Sequence, residues 1–287
     1  MESFAAIYPV LVILSVLRSG TSLVTCPALC TCNSREVWCE NKGLTAIPIG
    51  IPVDTRKLYL FDNNITTIPE GSLSRLKDLQ MLVLTSNGLT NDAIRPGLFR
   101  QMKKLEALMM SDNKLTRITN SMFAGMPNLM RLYVERNRIR GIEQKALFNL
   151  TKLVEIKLGG NQLTNFPKIT MCPKLRRLSL PNNRLVRLQF DSLSEVNLEE
   201  LELSNNRLTQ LPSTTFGDMS NFGVLDLSLN RIRRLPRIIK NMSSLHTLNL
   251  SSNSISQLPA DLLQSLRKIK VLDLHGLRLT SLSASFI

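Results

Sequence analysis

The sequence predicts an α/β-type repeat solenoid, a curved stack of short turns with a parallel β-sheet on the concave side and a 3₁₀ or short-helical convex side. Three observations predict it. Two leucine-like residues separated by one residue, followed three positions later by an asparagine, recur along most of the chain. Apolar residues spaced by three separate successive copies, and four cysteines precede the first copy. We therefore expect one quasi-linear unit with a sealed N-terminal end.

The repeated figure is clearest at Leu201, Leu203, Asn206 and Leu208, which predict a short strand followed by a turn that the asparagine amide caps. The asparagine recurs nine times at intervals of 22 to 26 residues, at Asn63, Asn87, Asn113, Asn137, Asn161, Asn183, Asn206, Asn230 and Asn253. This is the pattern and period of the leucine-rich repeat, so the expected fold is a leucine-rich repeat horseshoe. A tenth copy carries Leu277 instead, and leucine cannot hydrogen-bond to the neighbouring turn.

The second half of each repeat supports the same fold. Apolar residues lie nine, six and three positions before the first leucine of the next strand, as Phe99, Met102 and Leu105 do, and this spacing suits a 3₁₀ or short helical turn. In the 26-residue repeat the apolar position after the asparagine falls at Ile94, two residues later than elsewhere. The two extra residues are predicted to lie in a loop, where they cost little stability.

Three regions are expected along the chain. Residues 1–24 have an apolar run and then small residues, as in a secretory signal peptide; Glu2 weakens the basic start, and a signal anchor is the alternative. Residues 25–53 form a cysteine-rich N-terminal cap, and residues 54–287 form about ten repeats. Lys and Arg exceed Asp and Glu by 14, which favours acidic or polyanionic partners.

The cap contains Cys26, Cys30, Cys32 and Cys39. In a secreted chain these predict two disulfides, and spacing alone leaves three pairings open. A zinc site is the alternative, but no histidine lies nearby in the sequence. The fifth cysteine, Cys172, occupies an apolar position of its repeat, so we expect a buried thiol rather than an intermolecular disulfide.

The run CPALCTCNSREVWCENKGLTAIPIGIP and the repeats that follow it resemble the small leucine-rich proteoglycan family, in particular its nephrocan-like members with uniformly long repeats. The resemblance implies that the cap disulfides join Cys26 to Cys32 and Cys30 to Cys39. It also implies that the concave face binds collagen or a growth factor of the TGF-β class. Because no cysteine-bearing cap follows the tenth repeat, a truncated product is expected.

Two surfaces are candidate binding sites. Residues between the strand leucines line the concave face, because side chains alternate along a strand. The candidates there are Arg131, Tyr133, Arg136, Lys157, Arg176, Arg177, Glu199, Glu200 and Glu202. The residues after the ladder asparagines form a basic ridge along one edge, comprising Lys114, Arg138, Arg184, Arg207 and Arg231 and interrupted by Gln162. The ridge suits a sulfated glycosaminoglycan; the bland alternative for both surfaces is a solvated face with scattered charges.

Four sequons, at Asn64, Asn149, Asn241 and Asn249, are candidate N-glycosylation sites. Asn249 falls on the concave side of its strand, where a glycan would obstruct ligands near the ninth repeat. The two histidines have no serine or cysteine nucleophile beside them in the pattern, so we expect no enzyme, cofactor or metal site. Nucleic acid is not an expected partner, and no segment after the signal region is apolar enough for a membrane span.

The leading functional hypothesis is a secreted extracellular-matrix protein that binds an extracellular protein ligand. Two alternatives belong to other classes. The chain could be the ligand-binding ectodomain of a receptor or adhesion protein, which a longer transcript encoding an apolar span would favour. It could also be a non-functional product that cells retain and degrade, which comparing secreted with intracellular protein would reveal.

Overall fold

The computed structural model describes residues 26–281, apart from 70, 149, 170–171, 189–192, 194–195, 212–220 and 236. The predicted signal peptide lies outside these residues. The β-strands are β1 (Thr31–Asn33), β2 (Glu36–Trp38), β3 (Lys57–Tyr59), β4 (Met81–Val83), β5 (Ala107–Met109), β6 (Arg117–Ile118), β7 (Arg131–Tyr133), β8 (Gly141–Ile142), β9 (Glu155–Lys157), β10 (Arg177–Ser179), β11 (Glu200–Glu202), β12 (Val224–Asp226), β13 (Thr247–Asn249) and β14 (Val271–Asp273). Asn91–Ala93 and Arg237–Asn241 form 3₁₀ helices, and Leu262–Ser265 forms the helix α1.

Each repeat contributes one three-residue strand to a 12-stranded sheet, and the strands follow chain order apart from β6 and β8, which pair separately. From β2 onward the pairing is parallel and joins equivalent positions, so that Leu58 lies beside Leu82 and Leu201 beside Leu225. The middle leucine is buried while its neighbours face the other side. The leucine-rich repeat horseshoe predicted from the period is confirmed, since each turn adds one strand in register.

The ladder asparagines connect successive turns through their side chains. Asn113 accepts a hydrogen bond at Oδ1 from the Leu89 amide (2.9 Å), and its Nδ2 donates to the carbonyls of Leu84 (2.9 Å) and Met110 (3.1 Å). The same arrangement recurs through Asn253, which accepts from the Ile232 amide. Buried backbone groups of two turns are thereby satisfied by one amide. The side chain of Leu277 carries no amide, so this side-chain ladder ends at Asn253.

The convex side is built from the apolar residues spaced by three. Phe99, Met102 and Leu105 are all buried, and Cys172 occupies the same layer with 1% of its surface exposed, as predicted. The long repeat has Ile94 buried as predicted, but its additional residues form the 3₁₀ turn Asn91–Ala93 and not the predicted loop. The Asn91 side chain stabilises that turn by accepting from the Thr116 amide at 2.8 Å.

The N-terminal cap is an antiparallel hairpin of β1 and β2, and β2 extends the parallel sheet. Disulfides join Cys26 to Cys32 and Cys30 to Cys39, the pairing that the family resemblance implies. Val37 and Cys39 are buried against the first repeat. The hairpin therefore covers the apolar end of the stack. Within the described part of the chain, no helix has the length and apolar character needed to cross a membrane.

Candidate protein-binding surface

The concave face brings the predicted residues of the middle repeats together. Parallel register places Arg131 beside Glu155, and Glu155 beside Arg177. In the next column Tyr133 lies beside Lys157. These side chains come from positions 22 to 24 residues apart in sequence, and the strand stacking makes them neighbours. Arg131, Tyr133, Lys157 and Arg177 of the predicted basic tract therefore lie in one patch on the sheet.

Glu155, which the sequence reasoning missed, lies at the centre of this patch and is 9% exposed. The Tyr133 hydroxyl donates to Glu155 Oε2 at 2.7 Å, while Arg177 Nε and Lys157 Nζ approach Oε1 at 3.6 and 3.7 Å. Lys157 also lies 4.9 Å from the centre of the Tyr133 ring. Part of the predicted positive charge is thus neutralised within the face. Aligning the repeats by their asparagines places Glu155 in the same column as Arg131 and Arg177, so the sequence itself contains the signal for this carboxylate.

The network shifts the pKa values of its two acidic members in opposite directions. Burial, followed by the hydrogen bond to Glu155, raises the pKa of Tyr133 to about 12. Burial alone would raise the pKa of Glu155, but the hydrogen bond from Tyr133 and the nearby Arg177 and Lys157 hold it below its ordinary value. Tyr133 therefore remains a donor and Glu155 an acceptor at neutral pH.

The remaining predicted residues lie in three places: Arg176 and Glu199 pair beside the sheet, Glu200 and Glu202 lie on β11, and Arg136 lies in the turn after β7. Arg176 is held by Glu199, with 3.5 Å between Nε and Oε1. Glu200 and Glu202 lie on β11, and the Ser179 hydroxyl donates to Glu202 Oε2 at 2.6 Å.

Arg136 lies in the turn after β7 rather than on the strand, and it has a positive φ of 48°. Its guanidinium forms two hydrogen bonds with the Asp112 carboxylate, at 2.6 and 2.7 Å. This arrangement raises the pKa of Arg136 through the hydrogen bond to Asp112. Arg136 thus belongs to the rim of the concave face, where it is paired.

The basic ridge is exposed along its whole length, at Lys114, Arg138, Arg184, Arg207 and Arg231. Within the described residues, none of the five forms an ion pair. Between the arginines of consecutive turns the side chains of Asn205 and Asn182 are joined by a hydrogen bond of 2.6 Å. Arg184, Arg207 and Arg231 line one polar groove with these asparagines. Gln162 interrupts the predicted ridge between Arg138 and Arg184, and Arg184, Arg207 and Arg231 form its contiguous cationic part.

The sequons differ in their accessibility. Asn64 and Asn241 are exposed, whereas Asn149 lies outside the described residues. Asn249 is half-buried on the concave face, and its Oδ1 accepts from the Ser251 amide and hydroxyl at 3.0 and 2.7 Å. A glycan on Asn249 would leave from the sheet surface, which is where the sequence reasoning placed it.

Family models described as Leucine rich repeat match residues 91–139, 127–185, 196–238 and 244–266, and a model described as Leucine rich repeat N-terminal domain matches residues 25–52. Mouse podocan is 33% identical over 245 residues, which are 76% of this chain and 40% of podocan. Lumican of Coturnix japonica is 28% identical over 254 residues, covering 78% of this chain and 73% of lumican.

The leucine-rich repeat transmembrane protein FLRT2 of Rattus norvegicus is 28% identical over 262 residues, covering 72% of this chain and 38% of FLRT2. A solved complex of latrophilin 3, Unc5D and the FLRT2 repeats includes a chain with the same fold. Its TM-score is 0.68 at 23% identity, covering 91% of this chain and 99% of that one. The chain therefore belongs to the leucine-rich repeat family, with a cysteine-bearing N-terminal domain and with small leucine-rich proteoglycans such as podocan and lumican among its relatives.

Proposed function

We propose that this protein is a secreted, non-enzymatic binding protein of the extracellular matrix, and that it holds a protein ligand on its concave face. The observation that carries the proposal is the 12-stranded sheet, whose outward side chains form one continuous surface. With strands about 4.8 Å apart, the surface is roughly 50 Å long and suits an extended ligand. The two cap disulfides suit an oxidising compartment. Relatedness to small leucine-rich proteoglycans supports collagen or a growth factor of the TGF-β class as ligand.

The test is a pulldown of the full chain with fibrillar collagen and with TGF-β class growth factors. Arg131→Glu is the informative variant, because Arg131 is exposed on the concave face, whereas Arg177 also holds the buried Glu155 and its reversal could unfold the strand. Arg138→Glu, with the same charge change on the ridge, is the matched control. We expect Arg131→Glu to weaken binding about tenfold and Arg138→Glu to leave it unchanged. Equal binding by both variants would remove the concave face from the interaction.

The ridge supports a second binding function, for a sulfated glycosaminoglycan. Three of its cations, Arg184, Arg207 and Arg231, lie on consecutive turns about 5 Å apart, a spacing that suits a linear polyanion. A heparin column tests this: Arg184→Ala, Arg207→Ala and Arg231→Ala together should elute at clearly lower salt than the wild type. Three alanine substitutions on the concave face, at Arg131, Lys157 and Arg176, control for net charge. Identical elution of the two triple variants would show that only total charge matters.

A receptor or adhesion ectodomain is the alternative class, supported by the relative FLRT2, which is a transmembrane protein by name. The two classes predict different products in cells. A matrix protein is recovered from the medium, whereas a receptor requires a longer transcript that encodes an apolar span after the repeats. Retention of the chain inside expressing cells would instead favour the non-functional product.

A further inference from the structure

An apolar column runs across the N-terminal half of the concave face. It consists of the third residues of five neighbouring strands: Trp38, Tyr59, Val83, Met109 and Tyr133. The rings of Trp38 and Tyr59 stack, with centroids 4.3 Å apart and planes inclined by 24°. Trp38 retains 36% of its surface exposed, Tyr59, Met109 and Tyr133 are half-buried, and Val83 is 8% exposed. Polar residues would be expected on this side of the sheet, so an apolar row over five strands, most accessible at Trp38, supports a surface that a partner covers.

The same column becomes acidic in the C-terminal half. After Lys157 and Ser179 it continues with Glu202, Asp226, Asn249 and Asp273, and Glu200 lies beside Glu202 on the same strand. Glu202 accepts from Ser179 and Asp226 accepts from the Ser228 amide at 2.9 Å. Hydrogen bonds thus orient these carboxylates, but within the described residues no ion pair neutralises Glu200, Glu202, Asp226 or Asp273.

The two halves are separated by a block whose charges are already engaged. Glu155 is surrounded by Tyr133, Lys157 and Arg177, and Arg176 is paired with Glu199. Lys157 and Arg177 carry one more positive charge than Glu155 neutralises, so this block repels a ligand cation. The face therefore favours one orientation of a bound segment, in which the apolar residues of the segment lie at the β2–β7 end and its cations lie at the β11–β12 end. The reverse orientation would bury cations against the apolar column.

We propose that the concave face binds an extended segment of a partner protein that has aromatic or aliphatic residues at one end and arginine or lysine residues at the other. The apolar residues cover the column from Trp38 to Met109, and the cations meet Glu200, Glu202 and Asp226. This inference rests on the proposed concave-face function and specifies the chemistry of its ligand. Met109 and Glu202 are four strands apart, about 19 Å, which an extended chain spans with about six residues.

The test uses the full chain and fluorescent synthetic peptides. One probe has three apolar residues, a six-residue Gly/Ser spacer and three arginines. A second peptide has the same three blocks in the reverse order, because the strands do not determine the chain direction of the bound segment. A composition-matched peptide alternates the apolar and basic residues, and a fourth replaces the arginines with glutamates. Fluorescence anisotropy should show that at least one segregated peptide binds about tenfold more tightly than the alternating and acidic peptides.

Two variants assign the contacts. Glu200→Gln with Glu202→Gln and Asp226→Asn should weaken the segregated peptide about tenfold and reduce its salt dependence, because the charge contacts are screened by salt. Met109→Thr should weaken it without changing the salt dependence. Asp92→Asn, on an exposed turn away from the strands, is the control, and circular dichroism verifies the fold of each variant. Equal affinity of all four peptides, or an unchanged affinity of the carboxylate variant, would overturn the proposal.

The same variants separate this proposal from the broader one. If Arg131→Glu weakens collagen or growth-factor binding while the carboxylate and Met109 variants do not, the concave face binds its ligand but the ligand lacks the proposed polarity. If Arg131→Glu has no effect on those ligands while the segregated peptide depends on the carboxylates, the peptide chemistry stands and the named ligand class is wrong.

Discussion

At the scale of single residues, buried polar side chains determine where this fold is vulnerable. Each ladder asparagine satisfies backbone groups that the strands themselves leave unpaired. Glu155 is a largely buried carboxylate that accepts a hydrogen bond from Tyr133. Losing a hydrogen-bond partner at these positions costs stability, because an unpaired buried donor or acceptor retains its full desolvation penalty. The two following predictions test this vulnerability.

Asn137→Ala should destabilise the protein by about 2–4 kcal/mol, since several buried groups lose their partner at once. Asn137 accepts from the Leu115 amide at 3.0 Å and donates to the Met110 carbonyl at 3.0 Å. The measurement is the free energy of unfolding in urea. Arg138→Ala, one position along on the exposed ridge, is the control and should change stability by less than about 0.5 kcal/mol. Equal effects would show that the ladder is not required for stability.

Glu155→Gln should change how stability depends on pH. The pKa of Glu155 is depressed in the folded state, so its charged form contributes stability above the unfolded pKa of about 4.3, and the contribution is lost as the pH falls through the lower folded value. The wild type should therefore exceed the variant in unfolding free energy at pH 6, and the difference should shrink towards pH 3. Asp92→Asn serves as control. A difference that does not vary with pH would contradict the network.

At the scale of elements, the fold depends on short units that meet in one register. A strand of three residues is too short to be stable alone, and it persists because the preceding and following turns pair with it. On the convex side the backbones of consecutive turns also pass close to each other. Where they approach most closely, only glycine fits. Gly125 is such a position: its φ is 97°, and a Cβ there would lie 2.6 Å from the Cα of Arg100.

Gly125→Ala should therefore destabilise the protein by about 1–3 kcal/mol, through a backbone conformation unfavourable to alanine and a clash with the neighbouring turn. Gly141→Ala is the matched control, because a Cβ added there would meet no atom within 4 Å and the φ of Gly141 is not positive. Thermal unfolding of both variants measures the contrast. If Gly141→Ala lowers the stability as much as Gly125→Ala does, the close approach of consecutive turns is not the reason that Gly125 is required.

At the scale of the whole molecule, the solenoid has no single centre that holds it together. Each turn contacts its immediate neighbours, so a defect is felt locally and the ends are the weakest places. The cap disulfides protect one end by fixing the hairpin over the first leucines. A ligand bound along the concave face, as proposed above, would contact many turns at once and would also stabilise their stacking.

Cys30→Ser together with Cys39→Ser should cost about 2–5 kcal/mol of stability in the terminal turns. Hydrogen exchange should then show faster exchange in β2 and β3, while β9 and β10 remain protected. Cys172→Ser is the control, since that buried residue belongs to the middle repeats and should affect strands near it instead. Uniform loss of protection in the cap variant would show that the chain unfolds as one cooperative unit.

The architecture of this protein follows from its sequence alone, because the repeat period is local. The spacing of leucines and asparagines sets the strand positions, the ladder through Asn253 and the buried layer that includes Cys172, and each could be read without knowledge of distant contacts. The cap pairing came from the family resemblance, since four cysteines alone allow three arrangements.

Which outward side chains meet depends on the three-dimensional packing of the turns. Glu155 neutralises part of the basic tract, Arg136 is paired with Asp112 at the rim, and Trp38 stacks on Tyr59 at the start of an apolar column. The columns follow from the repeat period, so the neighbours of Glu155 could have been found by aligning the repeats. The hydrogen bonds and exposures could not, because side-chain torsions and the close packing of adjacent turns set them, and neither is encoded in spacing.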